Sequence, residues 1–239
     1  MITGGGTGIG AAAAVRLARA GWSLALAGRR PGPLEETARA CRDADAACDA
    51  LAIQTDVTDP DQSRALIAQA DRRFSRIDAL INNAGGGPVG PVSDATPDDV
   101  AASFAVNALS AAWLTRFVWP VFARQGGGCV VNVSSMAAHD PYPGLFAYAA
   151  SKAAVESMVR SIVNERGDLK IRAFAVAPGA TETALLREYF PESVVPKSAT
   201  MPPDAIAAII AGCVLGEYDD HDGCTALAPA GRAVTWTAP

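Results

Sequence analysis

The sequence predicts an α/β fold: a single domain on a doubly wound parallel sheet of about seven strands, with helices on both faces. Three observations carry this. Short apolar runs alternate along the chain with longer amphipathic stretches, the pattern of βαβ units feeding a parallel sheet. A glycine-rich turn, Gly4 to Gly10, opens into an alanine-rich helix, an arrangement that presents backbone N–H groups and the positive end of a helix dipole to a pyrophosphate. The length, 239 residues, suits one α/β domain, and no repeat, low-complexity segment or linker divides it.

The first strand is reduced to Met1-Ile2 before its turn at Thr3, too short for a central strand, so a start site assigned too late is expected. No leader peptide is expected before Thr3. A helix follows from about Ile9 to Ala20, with Gly21 as its cap. Trp22 to Ala27 forms the second strand, ending at Gly28-Arg29-Arg30. Pro33 then starts a helix with Glu35 and Glu36 in its first turn, where the dipole favours acids. Ala50 to Ile53 is the third strand, leading through Asp56 and Val57 to a helix from Pro60 to about Phe74. Ile77 to Ile81 is the fourth, ending in Asn82-Asn83-Ala84-Gly85.

Thr96-Pro97-Asp98-Asp99 opens a long helix with a Thr N-cap, Pro at N1 and an acid at N3. Within it lies Asn107, a poor helix former among alanines. Ala101 to Ala123 is the most apolar long segment, but Asn107, Arg116 and Pro120 interrupt it, so it reads as a buried helix and not a membrane span. Cys129 to Val133 is a buried strand with Ser135 just past its end, and a helix opens near Tyr148 and runs to about Arg166. Ile171 to Ala177 is the sixth strand, stopping at Pro178-Gly179. Thr181 to Pro203 has weak periodicity and several prolines and reads as a mobile flap with a short helix at Ala184 to Tyr189. Pro203 to Leu215 is the final helix and Cys224 to Ala228 the last strand.

Composition narrows the function. Half the residues are hydrophobic and 19% are charged, a globular composition, and the net charge of −5 includes no basic run, which argues against nucleic acid as a partner. Two distant histidines offer no metal ligand set, so no metal is expected. Five cysteines without a C-x-x-C read as free thiols in a reducing compartment, pointing to the cytoplasm.

The chemistry concentrates between Ser135 and Lys152. On a helix, the spacing of Tyr148 and Lys152 puts phenol and ammonium on one face, where both can act on one substrate atom. A phenol of pKa near 10 is a ready proton donor; to serve as a base it needs its pKa lowered by roughly two to three units, and a neighbouring cation acts in that direction. Ser135, at a strand's carboxyl end, is placed to polarise a carbonyl in the crevice of a parallel sheet. Where an acid at the end of the second strand selects NAD through its ribose hydroxyl, this chain has Arg29 and Arg30, donors suited to the 2′-phosphate of NADP. His139 reads as a surface histidine, with contact to substrate as the alternative, and His221 as solvated.

Together these residues resemble the short-chain dehydrogenase/reductase family over nearly the whole chain. The matching positions are Thr3-Gly4-x-x-x-Gly8-x-Gly10, Asp56, Asn82-Asn83-Ala84-Gly85, Asn107, Ser135, Tyr148-x-x-x-Lys152 and Pro178-Gly179 with Thr183 after it. The resemblance implies a Rossmann-type fold and a Ser-Tyr-Lys-Asn catalytic set: Ser135 holding the substrate oxygen, Tyr148 exchanging its proton, Lys152 lowering the phenol's pKa and Asn107 anchoring a water. It implies a dinucleotide contacted by Gly4, Gly8, Ile9 and Gly10, by Asp56 and Val57 at the adenine, by Asn82, Ala84 and Gly85 at the ribose, by Tyr148 and Lys152, and by Pro178, Gly179 and Thr183. It also implies a homodimer or homotetramer, which fits the helices bearing Asn107 and Tyr148: with Trp113, Phe117 and Trp119 in one and Met158 and Ile162 in the other, each is apolar on more than one face, as expected if it meets both the sheet and a second subunit. The tail Leu227 to Gly231 departs from the family's usual Val-Asp-Gly-Gly.

The expectation is an NADP-dependent oxidoreductase interconverting a small ketone and a secondary alcohol, independent of membranes and nucleic acid. Three rivals stand beside it: an NAD-dependent alcohol dehydrogenase of the same family, a non-catalytic NADP-binding scaffold, and a lyase or dehalogenase that borrows the serine and tyrosine without hydride transfer.

Overall fold

Eight strands form one sheet: β1 (Ile2–Thr3), β2 (Leu24–Gly28), β3 (Ala50–Gln54), β4 (Ala79–Asn82), β5 (Gly127–Val133), β6 (Lys170–Pro178), β7 (Thr225–Ala228) and β8 (Thr235–Trp236). The structure, a computed structural model, describes residues 1–237. Strand order is β3-β2-β1-β4-β5-β6-β7-β8, parallel throughout except for β8, which runs antiparallel to β7. The chain winds outward from β1 to β3 on one side and from β4 to β7 on the other. Between β1 and β4 the winding reverses, and at such a switch point the carboxyl ends of the strands open a crevice.

The helices are α1 (Gly8–Arg19), α2 (Pro31–Ala44), α3 (Pro60–Phe74), α4 (Pro97–Phe104), α5 (Ser110–Gln125), α6 (Phe146–Glu165), α7 (Ala184–Tyr189) and α8 (Pro203–Leu215). Strand side chains alternate between faces, and burial on both makes the strands read as continuous apolar runs. Thus Leu26, Ile81 and Val131 join Leu17 of α1, Leu34 of α2 and Ile210 of α8 in one core layer. Leu80 and Val130 join Leu66 of α3, Val118 of α5 and Val159 of α6 in the other.

The short β1 keeps its central place. Its Ile2 is fully buried, and pairing continues one residue past it, with Met1 O accepting from Ile81 N at 2.9 Å and the Met1 amino group donating to Ala79 O at 2.7 Å. Burial pulls that amino group down to about 5.

Two elements differ from expectation. The second helix begins at Pro31, because Arg30 already holds the extended N-cap conformation, and Glu35 and Glu36 fall beyond its first turn. The eighth strand, β8, is too short for its alternation to be read from sequence. It is fixed by tertiary contacts: Trp236 stacks on His221 with ring centroids 4.5 Å apart and packs against Tyr218 at 5.1 Å. His221 therefore has a packing role where solvation was expected.

The apolar run through Ala123 is α4 and α5 joined by a π-helical turn, Ala105–Leu109, that contains Asn107. Thr96 and Asp99 form a reciprocal capping box at its start. Trp113 and Phe117 are half-buried: Trp113 Nε1 donates to Val57 O at 3.1 Å, and the Arg64 guanidinium lies 4.4 Å above the Phe117 ring. All five cysteines are buried and free. Among the described residues no helix is long and apolar enough to cross a membrane, and no three His, Cys, Asp or Glu side chains converge.

Candidate active site

The carboxyl ends of β1, β4, β5 and β6 open into a cavity of about 370 Å³. Ser135, Tyr148 and Lys152 line it together with Gly4, Gly8, Ile9, Ala84, Gly85, Pro178, Gly179 and Thr183. A larger cavity of about 760 Å³ lies at the opposite end of the strands, beside Met1, Trp22 and Asp78, and none of the expected site residues borders it.

The glycine turn has a mechanical reason for its composition. Gly4 and Gly8 hold φ of +64° and +55°, in the left-handed region that favours glycine. Gly10 faces a different constraint: a Cβ there would stand 2.4 Å from Gly4 O and 2.5 Å from Asn83 Nδ2. The Thr3 hydroxyl joins this turn to the end of β4, accepting from the N–H groups of Asn83 and Ala84, both at 3.0 Å. Asn83 Nδ2 donates to Thr3 O at 2.9 Å and Gly4 O at 3.2 Å. The turn is thereby rigid, with the amino terminus of α1 facing the cavity. That cradle fits the diphosphate of a dinucleotide.

Opposite it, Gly85 lies tight against two side chains of the site. A Cβ on Gly85 would lie 2.7 Å from Asn107 Oδ1 and 2.9 Å from Lys152 Nζ. Asn107, 3% exposed, accepts from Gly86 N at 3.0 Å and donates to Gly86 O at 2.7 Å and Ser103 O at 2.9 Å. An asparagine that bonds a neighbouring loop in this way stands where the helix widens to a π turn, a distortion common at functional positions.

Tyr148 and Lys152 project from the same face of α6, with Nζ 5.7 Å from the centre of the phenol ring. Lys152 is 4% exposed and donates to Val133 O at 2.7 Å. Burial pulls its pKa down to about 8. Burial also pushes the Tyr148 phenol above its ordinary value, with the adjacent Ser135 hydroxyl acting partly against it. Burial is the larger influence on the phenol, and the one that acts against it comes from Ser135. Tyr148 is thus held as the protonated acid, ready to donate. Ser135 Oγ accepts from Ala137 N at 3.1 Å at the start of a short 3-10 turn, Met136–Ala138.

The flap closes over these groups. Thr183 N-caps α7, donating no proton but accepting from Leu186 N at 3.1 Å, and its methyl faces Gly8, where a Cβ would stand 3.1 Å away. Tyr189 donates to Gly87 O at 2.8 Å, and its ring meets Tyr148 edge to face at 6.2 Å. Tyr142 and Phe190 make a second edge contact at 5.1 Å, so the outer wall is aromatic.

Several of the expected residues lie outside the cavity. Asn82 does not line the cavity: its Nδ2 donates to Asn132 Oδ1 at 2.9 Å across β4 and β5, a structural pairing set by the strand register. Asp56 is occupied by Thr58, accepting from its N–H at 2.9 Å and its hydroxyl at 2.7 Å, and Val57 is buried. Arg29 and Arg30 are exposed at the end of β2, outside the cavity. His139 neither touches the cavity nor stands free in solvent, since its Nε2 lies 3.0 Å from Glu156 Oε2. Thr7, Asn83, Tyr142 and Tyr189 line the cavity and had no site role assigned from the sequence. The Asn82-Asn83 doublet was a signal for one of them, but only the structure shows which asparagine turns toward the glycine turn.

Known proteins share this architecture. A family model described as short chain dehydrogenase matches residues 1–193. The chain is 36% identical over 197 residues to versicolorin reductase stcU of Emericella nidulans, covering 80% of this chain and 73% of that protein. It is 31% identical over 218 residues to the NADP-dependent 3-hydroxy acid dehydrogenase of Schizosaccharomyces pombe, covering 88% and 84%. The solved structure of 7 alpha-hydroxysteroid dehydrogenase complexed with NADH and 7-oxo glycochenodeoxycholic acid superposes with a TM-score of 0.88 at 28% identity, covering 98% of this chain and 93% of that one.

Proposed function

The chain belongs to the short-chain dehydrogenase/reductase family and is an NAD(P)-dependent oxidoreductase, and from that premise we propose that it uses NADP to interconvert a ketone and a secondary alcohol. The observation that carries the reading is the meeting of Ser135, Tyr148 and Lys152 in one cavity with the glycine turn. When bound, the dinucleotide supplies or accepts the hydride at the substrate carbon. Tyr148, kept protonated by burial, gives its proton to the carbonyl oxygen in the reducing direction, and the Ser135 hydroxyl donates to the same oxygen as negative charge develops. Lys152, with a pKa pulled to about 8, can release and regain a proton near neutrality, which suits it to resupply the phenol. Asn107 holds the loop at Gly86 and so the space in which Lys152 moves. The flap residues Tyr189 and Phe190 exclude water from these transfers.

NADP is favoured over NAD by Arg29 and Arg30, exposed at the end of β2 with no acid beside them. The 2′-phosphate can be received there by charge-assisted bonds. Asp56 and Val57 remain the residues proposed to border the adenine, Ala84 and Gly85 the ribose, and Pro178, Gly179 and Thr183 the carboxamide end. An assembly of two or four subunits and a cytoplasmic location complete the reading, supported respectively by the exposed Leu109 of the π-helical turn and Phe146 at the start of α6 and by five free thiols.

Paired titrations with NADPH and NADH, followed by tryptophan quenching, test the cofactor choice. Binding of NADPH tighter by tenfold or more, lost in Arg29→Ala/Arg30→Ala with NADH affinity unchanged, is the expected result. Equal affinities in the unsubstituted protein refute the NADP assignment and leave the oxidoreductase intact.

A further inference from the structure

Ser135 owes its position to a turn that is bonded at both ends to one carboxylate. Ser134, just before the turn, donates from Oγ to Glu156 Oε1 at 2.6 Å. His139, just after it, places Nε2 at 3.1 Å from Oε1 and 3.0 Å from Oε2 of the same group. Glu156 is 7% exposed, and it follows Lys152 by one helical turn and Tyr148 by two, on the same face of α6. The Ser134 hydroxyl lies 3.1 Å from the Lys152 carbonyl oxygen, and its N–H donates to Val176 O at 2.7 Å. A carboxylate is kept in the interior only where donors offset its desolvation. Here both side-chain donors come from the residues that bracket the Ser135 turn.

We propose that Glu156 is a positioning residue for the reaction: with Ser134 and His139 it staples the turn bearing Ser135 to the helix bearing Tyr148 and Lys152. Glu156 does not line the cavity and acts through the two residues it holds. Without it, the turn is tied to α6 by weaker contacts alone, and the hydroxyl and phenol no longer keep a constant separation. The proposal rests on the catalytic roles given to Ser135 and Tyr148 above, and it assigns His139 a task that neither solvent exposure nor substrate contact explains.

Glu156→Ala, Glu156→Gln and His139→Ala are to be compared with wild type in three measurements. These are turnover of 9,10-phenanthrenequinone with NADPH, NADPH affinity, and amide hydrogen exchange across residues 135–140. Glu156→Ala is expected to lower kcat at least tenfold, leave the NADPH Kd within twofold, and speed exchange in the turn at least tenfold. Glu156→Gln, whose carboxamide oxygen still accepts from Ser134, should recover kcat to within threefold of wild type. His139→Ala, at the more exposed end, should lower kcat three- to tenfold at unchanged NADPH affinity, and it keeps the test open if Glu156→Ala does not fold. A kcat within twofold of wild type in Glu156→Ala, or unaltered exchange in both alanine variants, overturns the staple. A wild-type protein that turns over no carbonyl with either nucleotide defeats the functional reading instead, while the exchange comparison still decides whether Glu156 holds the turn.

Discussion

Replacing Lys152 with methionine should stabilise the protein near neutral pH while abolishing its turnover. Burial pulls the lysine from an ordinary 10.5 to about 8, and at 1.36 kcal/mol per pKa unit the charged form costs the fold roughly 3 kcal/mol. Its folded pKa lies below its unfolded one. The unfolded chain therefore binds the extra proton between pH 8 and 10.5, so stability rises with pH across that window and the full penalty applies below it. Methionine, similar in length and apolar, removes the penalty but also the bond from Nζ to Val133 O at 2.7 Å. Losing that bond costs about 1–2 kcal/mol. The net gain at pH 7 is about 1–2 kcal/mol, or roughly 3–6 °C in Tm for a chain of this size. Above the window, the neutral lysine keeps its bond and the variant becomes the less stable by about 1–2 kcal/mol. Thermal melts of both proteins from pH 6 to 11 should cross between about pH 9 and 10. A Tm difference that stays constant with pH, or a methionine variant less stable at pH 7, refutes the argument that desolvation dominates at Lys152.

Three further outcomes follow from the geometry. Tyr148→Phe should reduce turnover by a thousandfold or so, as expected for loss of a proton donor worth about 4 kcal/mol, with NADPH affinity unchanged in the same titration; activity within tenfold of wild type contradicts the role. In Gly85→Ala the new Cβ meets Asn107 Oδ1 at 2.7 Å and Lys152 Nζ at 2.9 Å. Overpacking of this kind costs about 1–3 kcal/mol and should lower Tm by several degrees with at least a tenfold loss of kcat. Wild-type kinetics in that variant would show that Lys152 can give way freely. Thr96→Ala removes one half of the capping box with Asp99 and should cost about 1 kcal/mol in chemical denaturation without affecting kinetics.

Much of the fold was legible because its signals are local. The helix at Pro203–Leu215, the flap helix at Ala184–Tyr189, the N-cap at Thr96 and the register of Tyr148 with Lys152 each depend on neighbours within a turn or two of chain. Where reading failed, a distant partner decided. Asn82 and Asn83 are adjacent and chemically identical, yet the strand direction sends one to Asn132 inside the sheet and the other to the glycine turn. Trp113 gave no sign in the sequence of its bond to Val57 O, a residue 56 positions away in the loop before α3.

By itself, the sequence determined the alternation of strands and helices, the glycine turn, and the pairing of a phenol with an ammonium on one helical face, because covalent spacing alone sets these periodicities. Only the tertiary structure decided the environment of those groups. It buried Lys152 against Val133 O, closed Gly85 upon Asn107, laid Tyr189 against Tyr148, and brought Ser134 and His139 to Glu156. The physical reason is that desolvation and hydrogen-bond partnership depend on what packs around an atom, and here the packing joins residues far apart in the chain.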